Sequence, residues 1–316
     1  MIITMQDTET REISAKIDEL HEERGEAALG RVLTLLISTN EAALEHDLEI
    51  ANNASREHPC RVIAVAPSSR KVNPEEEKHP TFLDAEIRFG SDAGAGEIIV
   101  LRPRGGLVRH ADTLVIPLLV PDAPVVAWWP NEAPANLSKD LLGSMASSRI
   151  TDAMHSSNPQ RTMDDLRRNR SSKDVDMSWT RLTVWRAMIA SMLDQPPHLP
   201  VSNVRVTGQK DYLPLDLLAA WLRLRLNVPV MIEEDPNATA VTGVYLTRGD
   251  GVLSLERPST DDGFAVISVP GQSPQTISVP ARTLEECLSE ELGRLYPDEI
   301  YSEVVSQGLE LVRPKR

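Results

Sequence analysis

The sequence predicts an α/β protein: a layered, Rossmann-like N-terminal domain with a mostly parallel sheet, followed by an α+β C-terminal domain containing an antiparallel meander. Three observations carry that reading. An apolar strand, an amphipathic helix and a second apolar strand follow one another with short joins over residues 31–67, the pattern of a right-handed parallel unit. Short alternating runs separated by Asp-Gly and other glycine-containing turns fill residues 241–280, the pattern of a meander. Between the two regions, "RTMDDLRRNRSSKDVDM", residues 161–177, is polar with few large apolar residues and reads as an Arg-rich linker. The domains are therefore expected at 1–160 and 178–316, and a chain of 316 residues suits two domains better than one.

The elements follow from local patterns. Ile13, Ile17 and Leu20 recur at helical spacing, and Gly25 can end that helix. "RVLTLLIST" and "CRVIAVAP" read as buried strands, joined by the helix "NEAALEHDLEIANNASREH" with Asn40 as its cap. "PSSRKVNPEEEKHP" is a proline-bounded polar loop, and "FLDAEIRFG" with "GEIIVLRP" forms a hairpin beside the sheet. In "GGLVRHADTLVIPLLVPDAP", Leu107, Ala111, Leu114 and Leu118 have helical spacing, so a helix is expected, although Pro117 should kink or end it. "VVAWW" is a strand, "LSKDLLGSMA" a helix and "SRITDAM" another strand.

The second domain opens with the helix "SWTRLTVWRAMIASML", Ser178 as its cap and Leu182, Trp185, Ile189 and Met192 along one stripe. A strand at "NVRVTG" precedes the helix "PLDLLAAWLRLRL", where Pro214 suits the first turn. Helices in "RTLEECLSEELGRLY" and "DEIYSEVVSQGLEL" close the chain.

Composition narrows the function. With 33 Lys plus Arg against 47 Asp plus Glu, the formal net charge is -14, and such a field repels phosphate; neither a nucleic-acid nor an acidic-membrane binder is expected. The N-terminus lacks the pattern of a secretory signal and no apolar run approaches a membrane span, so a cytoplasmic protein is expected. Cys60 and Cys287 are too few for a disulfide framework and read as inert thiols. No metal site is expected, because the seven histidines are scattered singly; His110, within an apolar helix, reads as a helix-end residue. "GEAALG" and "GSDAGAG" lack the strand-to-helix setting of a phosphate cradle, so no cofactor is expected. "RGD" at Arg248 to Asp250 reads as a hairpin turn, and no catalytic acid-base pair or nucleophile elbow stands out.

What remains is a concentration of binding-type residues in the middle of the chain. Trp128, Trp129, Trp179 and Trp185 share one region with Arg149, Arg161, Arg167, Arg168, Arg170, Arg181 and Arg186. Tryptophan and arginine dominate interface hot spots. All four tryptophans could equally be core, which for the adjacent pair requires a sheet covered on both faces. "RRNR" could equally be a solvated run. The candidate partner-binding set is Trp128, Trp129, Pro130, Arg149, Arg167, Arg168, Arg170, Trp179, Arg181, Trp185 and Arg186. Pro130 ends the strand, so Trp129 is expected at its carboxyl end, at the join with the second domain or with a partner.

"HADTLVIPLLVPDAPVVAWWP", "SRITDAM" and "SWTRLTVWR", with "LGRVLTLLIST" and "HPCRVIAV", resemble the glucose-6-phosphate dehydrogenase assembly protein (OpcA) family over essentially the whole chain. The resemblance implies a non-catalytic assembly factor or allosteric activator that forms a hetero-oligomer with glucose-6-phosphate dehydrogenase and supports NADPH production by the oxidative pentose phosphate pathway. Cysteine redox control is associated with cyanobacterial members, but this chain has only Cys60 and Cys287, and redox switching is not expected here. An alternative from the residues is a protein or enzyme that binds a small phosphorylated metabolite through Arg102, Arg104 and Arg149, since "LRPRGG" sets paired arginines beside glycines.

Overall fold

The computed structural model describes residues 1–24, 32–68, 82–90, 96–257 and 263–313. In chain order these form β1 (Ile2–Met5), α1 (Thr10–Arg24), β2 (Leu33–Ser38), α2 (Leu44–Ala54), β3 (Cys60–Val65), β4 (Leu83–Phe89) and β5 (Glu97–Pro103). Then come α3 (Ala111–Val115), β6 (Val125–Trp129), β7 (Ser148–Thr151), α4 (Pro159–Asn169), β8 (Asp174–Asp176), α5 (Met177–Thr180), α6 (Thr183–Leu193) and β9 (Val201–Gln209). The remainder is α7 (Leu213–Leu226), β10 (Val230–Asp235), β11 (Val241–Arg248), β12 (Gly251–Glu256), β13 (Phe264–Ser268), β14 (Gln275–Ser278), α8 (Leu284–Gly293), α9 (Glu299–Glu303) and α10 (Leu309–Val312). They divide into two compact units.

The first unit comprises Met1–Ser157, Arg168–Val175 and Leu284–Pro297. Its eight-stranded sheet has the order β1-β4-β5-β3-β2-β6-β7-β8. The run β5-β3-β2-β6-β7 is parallel, and β4 and β1 are added antiparallel at one side. The apolar runs of β2, β3, β5 and β6 are buried nearly without alternation, as strands covered on both faces must be. β4 instead alternates buried and half-buried residues. Ile13, Ile17 and Leu20 of α1 are buried as their spacing predicts. The chain winds from β2 to β3 and β5 on one side and returns to β6 and β7 on the other, which puts a topological switch point between β2 and β6.

The second unit comprises Asn158–Arg167, Asp176–Thr283 and Asp298–Arg316. Its six-stranded sheet, β10-β9-β11-β12-β13-β14, is the expected meander, with β10 added parallel to β9 by way of α7. Val204, Val206, Leu246, Leu253, Leu255 and Ala265 face the buried side. The opposite face carries Met231, Arg205, Tyr245, Ser254 and Ser268 in register across five strands. The "RGD" tripeptide is the hairpin turn between β11 and β12, where Arg248 pairs with Gly251 across the strands and holds Asp250 at 2.7 Å.

Several expectations are corrected. Residues 137–146 form one 3-10 turn, Leu137–Lys139, and further turns, because Asp140 Oδ1 accepts the backbone N–H groups of Leu142 and Gly143 in place of a helical ladder. The helix expected over 105–124 shrinks to α3 between 3-10 turns at Gly105–His110 and Ile116–Leu118, the second containing Pro117, which has no N–H to donate. The expected linker 161–177 contains most of α4, which starts at Pro159 and buries Met163 and Leu166, and then β8. Two apolar residues three apart suffice to seat a short helix that polar composition disguises. Asp176, not Ser178, caps α5, accepting the Ser178 N–H at 2.9 Å. Asn40 does not cap α2 itself; its Oδ1 accepts from Ala42 and Ala43 in the turn before the helix. Finally, α8 belongs to the first unit although the sequence assigns it to the second domain. "GEAALG", most of "GSDAGAG" and most of the proline-bounded loop lie outside the described residues.

Candidate functional site

The four tryptophans are core residues of their units. Trp128, Trp129, Trp179 and Trp185 are 1%, 1%, 0% and 3% exposed. Adjacent positions in β6 send the first two rings to opposite faces, and both faces are covered, so the second ring fills the opposite layer. Trp129 packs inside the first unit, where a Cβ added at Gly143 would stand 3.1 Å from its ring and 1.9 Å from the Leu137 carbonyl oxygen. Glycine at position 143 therefore makes room for that ring, and Trp129 does not present it outward as expected. Trp179 lies under Arg186, whose guanidinium carbon is 3.7 Å from the ring centroid, and beside Tyr301 at 6.1 Å. Its Nε1 donates to Asp298 Oδ2 at 2.9 Å, while Oδ1 of the same carboxylate caps α9 through the Tyr301 N–H at 2.8 Å.

The arginines differ in burial. Arg149 is buried and donates to Asp174 at 2.5 Å, to the Gly143 carbonyl at 3.2 Å and to Ser171 at 2.8 Å, which ties β7 to the turn before β8. Arg167 pairs with Glu310. Pro130 is buried, whereas Arg168 and Arg170 are exposed and Arg181 and Arg186 half-buried. Of the three arginines in the metabolite-binding alternative, Arg149 is thus spoken for and Arg102 pairs with Glu86 at 3.1 Å. Arg104 is buried over the Phe82 ring at 4.6 Å, with Nε and Nη1 lacking hydrogen-bond partners.

The switch point of the first unit is where doubly wound proteins place a glycine-rich turn and bind dinucleotides. Here the turn after β2, Thr39 to Ala43, has no glycine. Buried Asp47 reaches it from α2, accepting from the Thr39 hydroxyl and from Asn131 Nδ2 at 3.3 Å. Burial raises the Asp47 pKa, opposed by the Thr39 hydrogen bond. In its ionised form such a carboxylate repels a pyrophosphate. His155, exposed beyond β7, has Nδ1 2.6 Å from Asp152. Among the described residues no group of three or more His, Cys, Asp or Glu could hold a metal ion, and burial pushes the Cys60 thiol up to about 12.

The second unit holds a further concentration of arginines, of which the sequence singled out Arg181 but not Arg257 or Arg282. Arg181, Arg257 and Arg282 line a partly open pocket with Trp185, Tyr212 and Pro214. They come from the ends of α5 and β12, the segment before α8, helix α6 and the start of α7. Arg257 is 4% exposed; its Nη2 donates to the Val279 carbonyl at 2.8 Å, and its Nε has no partner. No short motif contains this set, so no pattern search along the chain could find it.

Two family models match the chain. Residues 51–168 match the N-terminal domain, and residues 172–305 the C-terminal domain, of the OpcA glucose-6-phosphate dehydrogenase subunit. The chain belongs to this family. The two OpcA matches meet between Arg168 and Ser172, inside the stretch that reads as a linker. No curated protein matches the chain. Among solved structures it is similar to a protein assigned as an oxidoreductase from Magnetospirillum magnetotacticum, at 10% identity and a TM-score of 0.42, covering 89% of this chain and 99% of that one. It is also similar to biliverdin reductase from Synechocystis, with biliverdin and NADP+ bound, at 10% identity and a TM-score of 0.35, covering 89% and 96%. Likeness at this level carries no argument for this OpcA-family chain. No helix among the described residues is long and apolar enough to cross a membrane.

Proposed function

We propose that the chain is a non-catalytic assembly factor and allosteric activator of glucose-6-phosphate dehydrogenase, acting in the cytoplasm to raise NADPH output from the oxidative pentose phosphate pathway. The observation that carries this reading is the match of both halves to domains of the OpcA dehydrogenase subunit. The switch point occupied by Asp47 and Asn131 supports a non-catalytic role, since the usual place for a nicotinamide dinucleotide in such a sheet holds a carboxylate.

With the tryptophan rings buried, the contact runs over other, exposed side chains. In the first unit it includes exposed Arg168 and Arg170. In the second it uses the open sheet face, where Met231, Val252 and Phe264 are large, apolar and exposed. Arg205 lies 3.9 Å over the Tyr245 ring on that face. Apolar anchors within a polar, arginine-bearing rim are the ordinary anatomy of a specific interface.

An activator must bind the competent state of its enzyme more tightly than the incompetent one, and a tenfold gain in the active fraction needs about 1.4 kcal/mol of difference. Mixing the chain with the dehydrogenase from its own organism is expected to give a complex by size exclusion and a higher turnover. Aspartate at Phe264 and Met231 together should weaken that complex without unfolding the chain, because both side chains are solvated. No complex with the parent chain would sink the reading, and a complex with unchanged turnover would reduce it to a structural subunit.

A further inference from the structure

Arg257 is the unusual member of the arginine-lined pocket of the second unit. Its guanidinium is buried next to the Trp185 ring at 5.2 Å, and one of its donors, Nε, is unsatisfied. A buried donor without a partner is costly, so native proteins rarely leave one idle. Burial also lowers the pKa of this group, yet a guanidinium keeps its proton at neutral pH. The pocket thus confines a positive charge where solvent does little to stabilise it.

The surroundings share that sign. Arg282 reaches the pocket from a segment fixed by its Nη1 bond to the Thr180 carbonyl at 2.9 Å, and Arg181 forms part of the wall. Tyr212 and Pro214 bring in the N-terminal end of α7, a helix of 14 residues whose dipole is positive at this end. Among the described residues the lining contains no carboxylate, in a chain whose net charge is -14. The cavity is about 90 Å³. That is room for several waters or one compact oxyanion. The pocket is open on one side, so a larger molecule can place its anionic group inside and leave its body outside.

We propose that the Arg181–Arg257–Arg282 pocket binds the phosphate group of a small phosphate monoester. Several guanidinium donors suit a group carrying about two negative charges and three strong acceptor oxygens better than they suit a singly charged carboxylate. The Nε of Arg257 supplies a buried donor, and Arg181 and Arg282 add positive charge from the pocket wall.

Calorimetric titration of the full chain alone, at constant ionic strength, tests this with inorganic phosphate and glycerol phosphate, and with glycerol and acetate as controls. Both phosphates should bind saturably and glycerol and acetate should not. Arg257→Lys keeps the charge but loses the Nε donor, and should weaken phosphate binding tenfold or more. Arg181→Gln, on a half-buried wall residue outside the core, should weaken it as well with the fold intact. The proposal is overturned if no saturable binding occurs, if acetate binds as tightly as phosphate, or if both variants bind like the parent. Binding of inorganic phosphate with rejection of glycerol phosphate would overturn the monoester assignment. No dehydrogenase is present in the titration, so its outcome is separate from that of the partner reading.

Discussion

Asp216 sits in the first turn of α7, buried, with Arg313 Nε 2.8 Å from its Oδ1. The pair is poorly aligned, and Oδ1 makes no hydrogen bond. Burial raises the carboxyl from 3.8 to about 7; Arg313 and Gln160 pull it back down, and nearby Glu234 pushes it further up. The folded chain therefore holds this proton more tightly than the unfolded chain does. Between about pH 4 and about pH 7 the native state binds more protons at this site, so its contribution to stability falls as pH rises and levels off above the folded value. Asp216→Asn removes that dependence. Thermal midpoints measured across this range should show the variant gaining on the parent as pH rises; two parallel curves would mean that Asp216 titrates alike in both states. The sequence places Asp216 only as an acidic residue in a first helical turn, where ionisation is favourable. Its unusual environment is created by Gln160, Glu234 and Arg313, all distant in sequence, and no local pattern records that.

At the scale of elements, the α9–α10 segment shows how two helices come close. Val304–Gly308 forms a π-helical turn between α9 and α10, and a Cβ at Gly308 would lie 2.9 Å from Leu224 Cδ1, 3.0 Å from the Ala220 carbonyl oxygen and 3.1 Å from Ala220 Cβ. The leucine methyl can swing away; the Ala220 backbone in α7 cannot. Alanine in place of this glycine gains about 1 kcal/mol of helix propensity, whereas overpacking costs about 1 to 3 kcal/mol. Gly308→Ala is thus expected to lower stability, by about 1 kcal/mol net, in guanidinium unfolding. A stabilised variant would show that the helices can part without loss. Elements with strong periodicity were legible in advance: the buried runs of β2 and β3, the stripe of α6 and the hairpin at Gly249–Asp250. Those decided by one side-chain contact were not. Asp140 diverts residues 137–146 from the helix their composition favours, and Met163 with Leu166 makes a helix of a stretch whose charge suggested a linker.

At the scale of the whole chain, neither unit is continuous, and this separates what the sequence could reveal of the domains from what folding requires. The 161–177 region contains the point where the two family matches meet. It does not divide the packing, because Leu284–Pro297 returns to the first unit. There α8 lies against α2, Ser289 donates to Glu57 at 2.8 Å, and Gly293 lies so close to His58 that a Cβ would approach its ring to 3.1 Å. The arginine pocket was hidden for the same reason, since its walls come from segments up to about a hundred residues apart, Arg181 to Arg282. Leu288 and Leu292 of α8 are fully buried, and each side chain contributes about 1.5 to 3 kcal/mol on burial. Native domains have only about 5 to 15 kcal/mol in all, so losing α8 removes a large fraction of it. A fragment of residues 1–176 should therefore unfold at a markedly lower temperature, or without a cooperative transition, compared with the same fragment carrying residues 284–297 on a flexible linker. Circular dichroism melts of the two fragments decide the point. If they coincide, α8 is an accessory to a self-sufficient N-terminal domain; if the longer fragment alone melts cooperatively, the first unit requires a segment that the chain supplies only near its end.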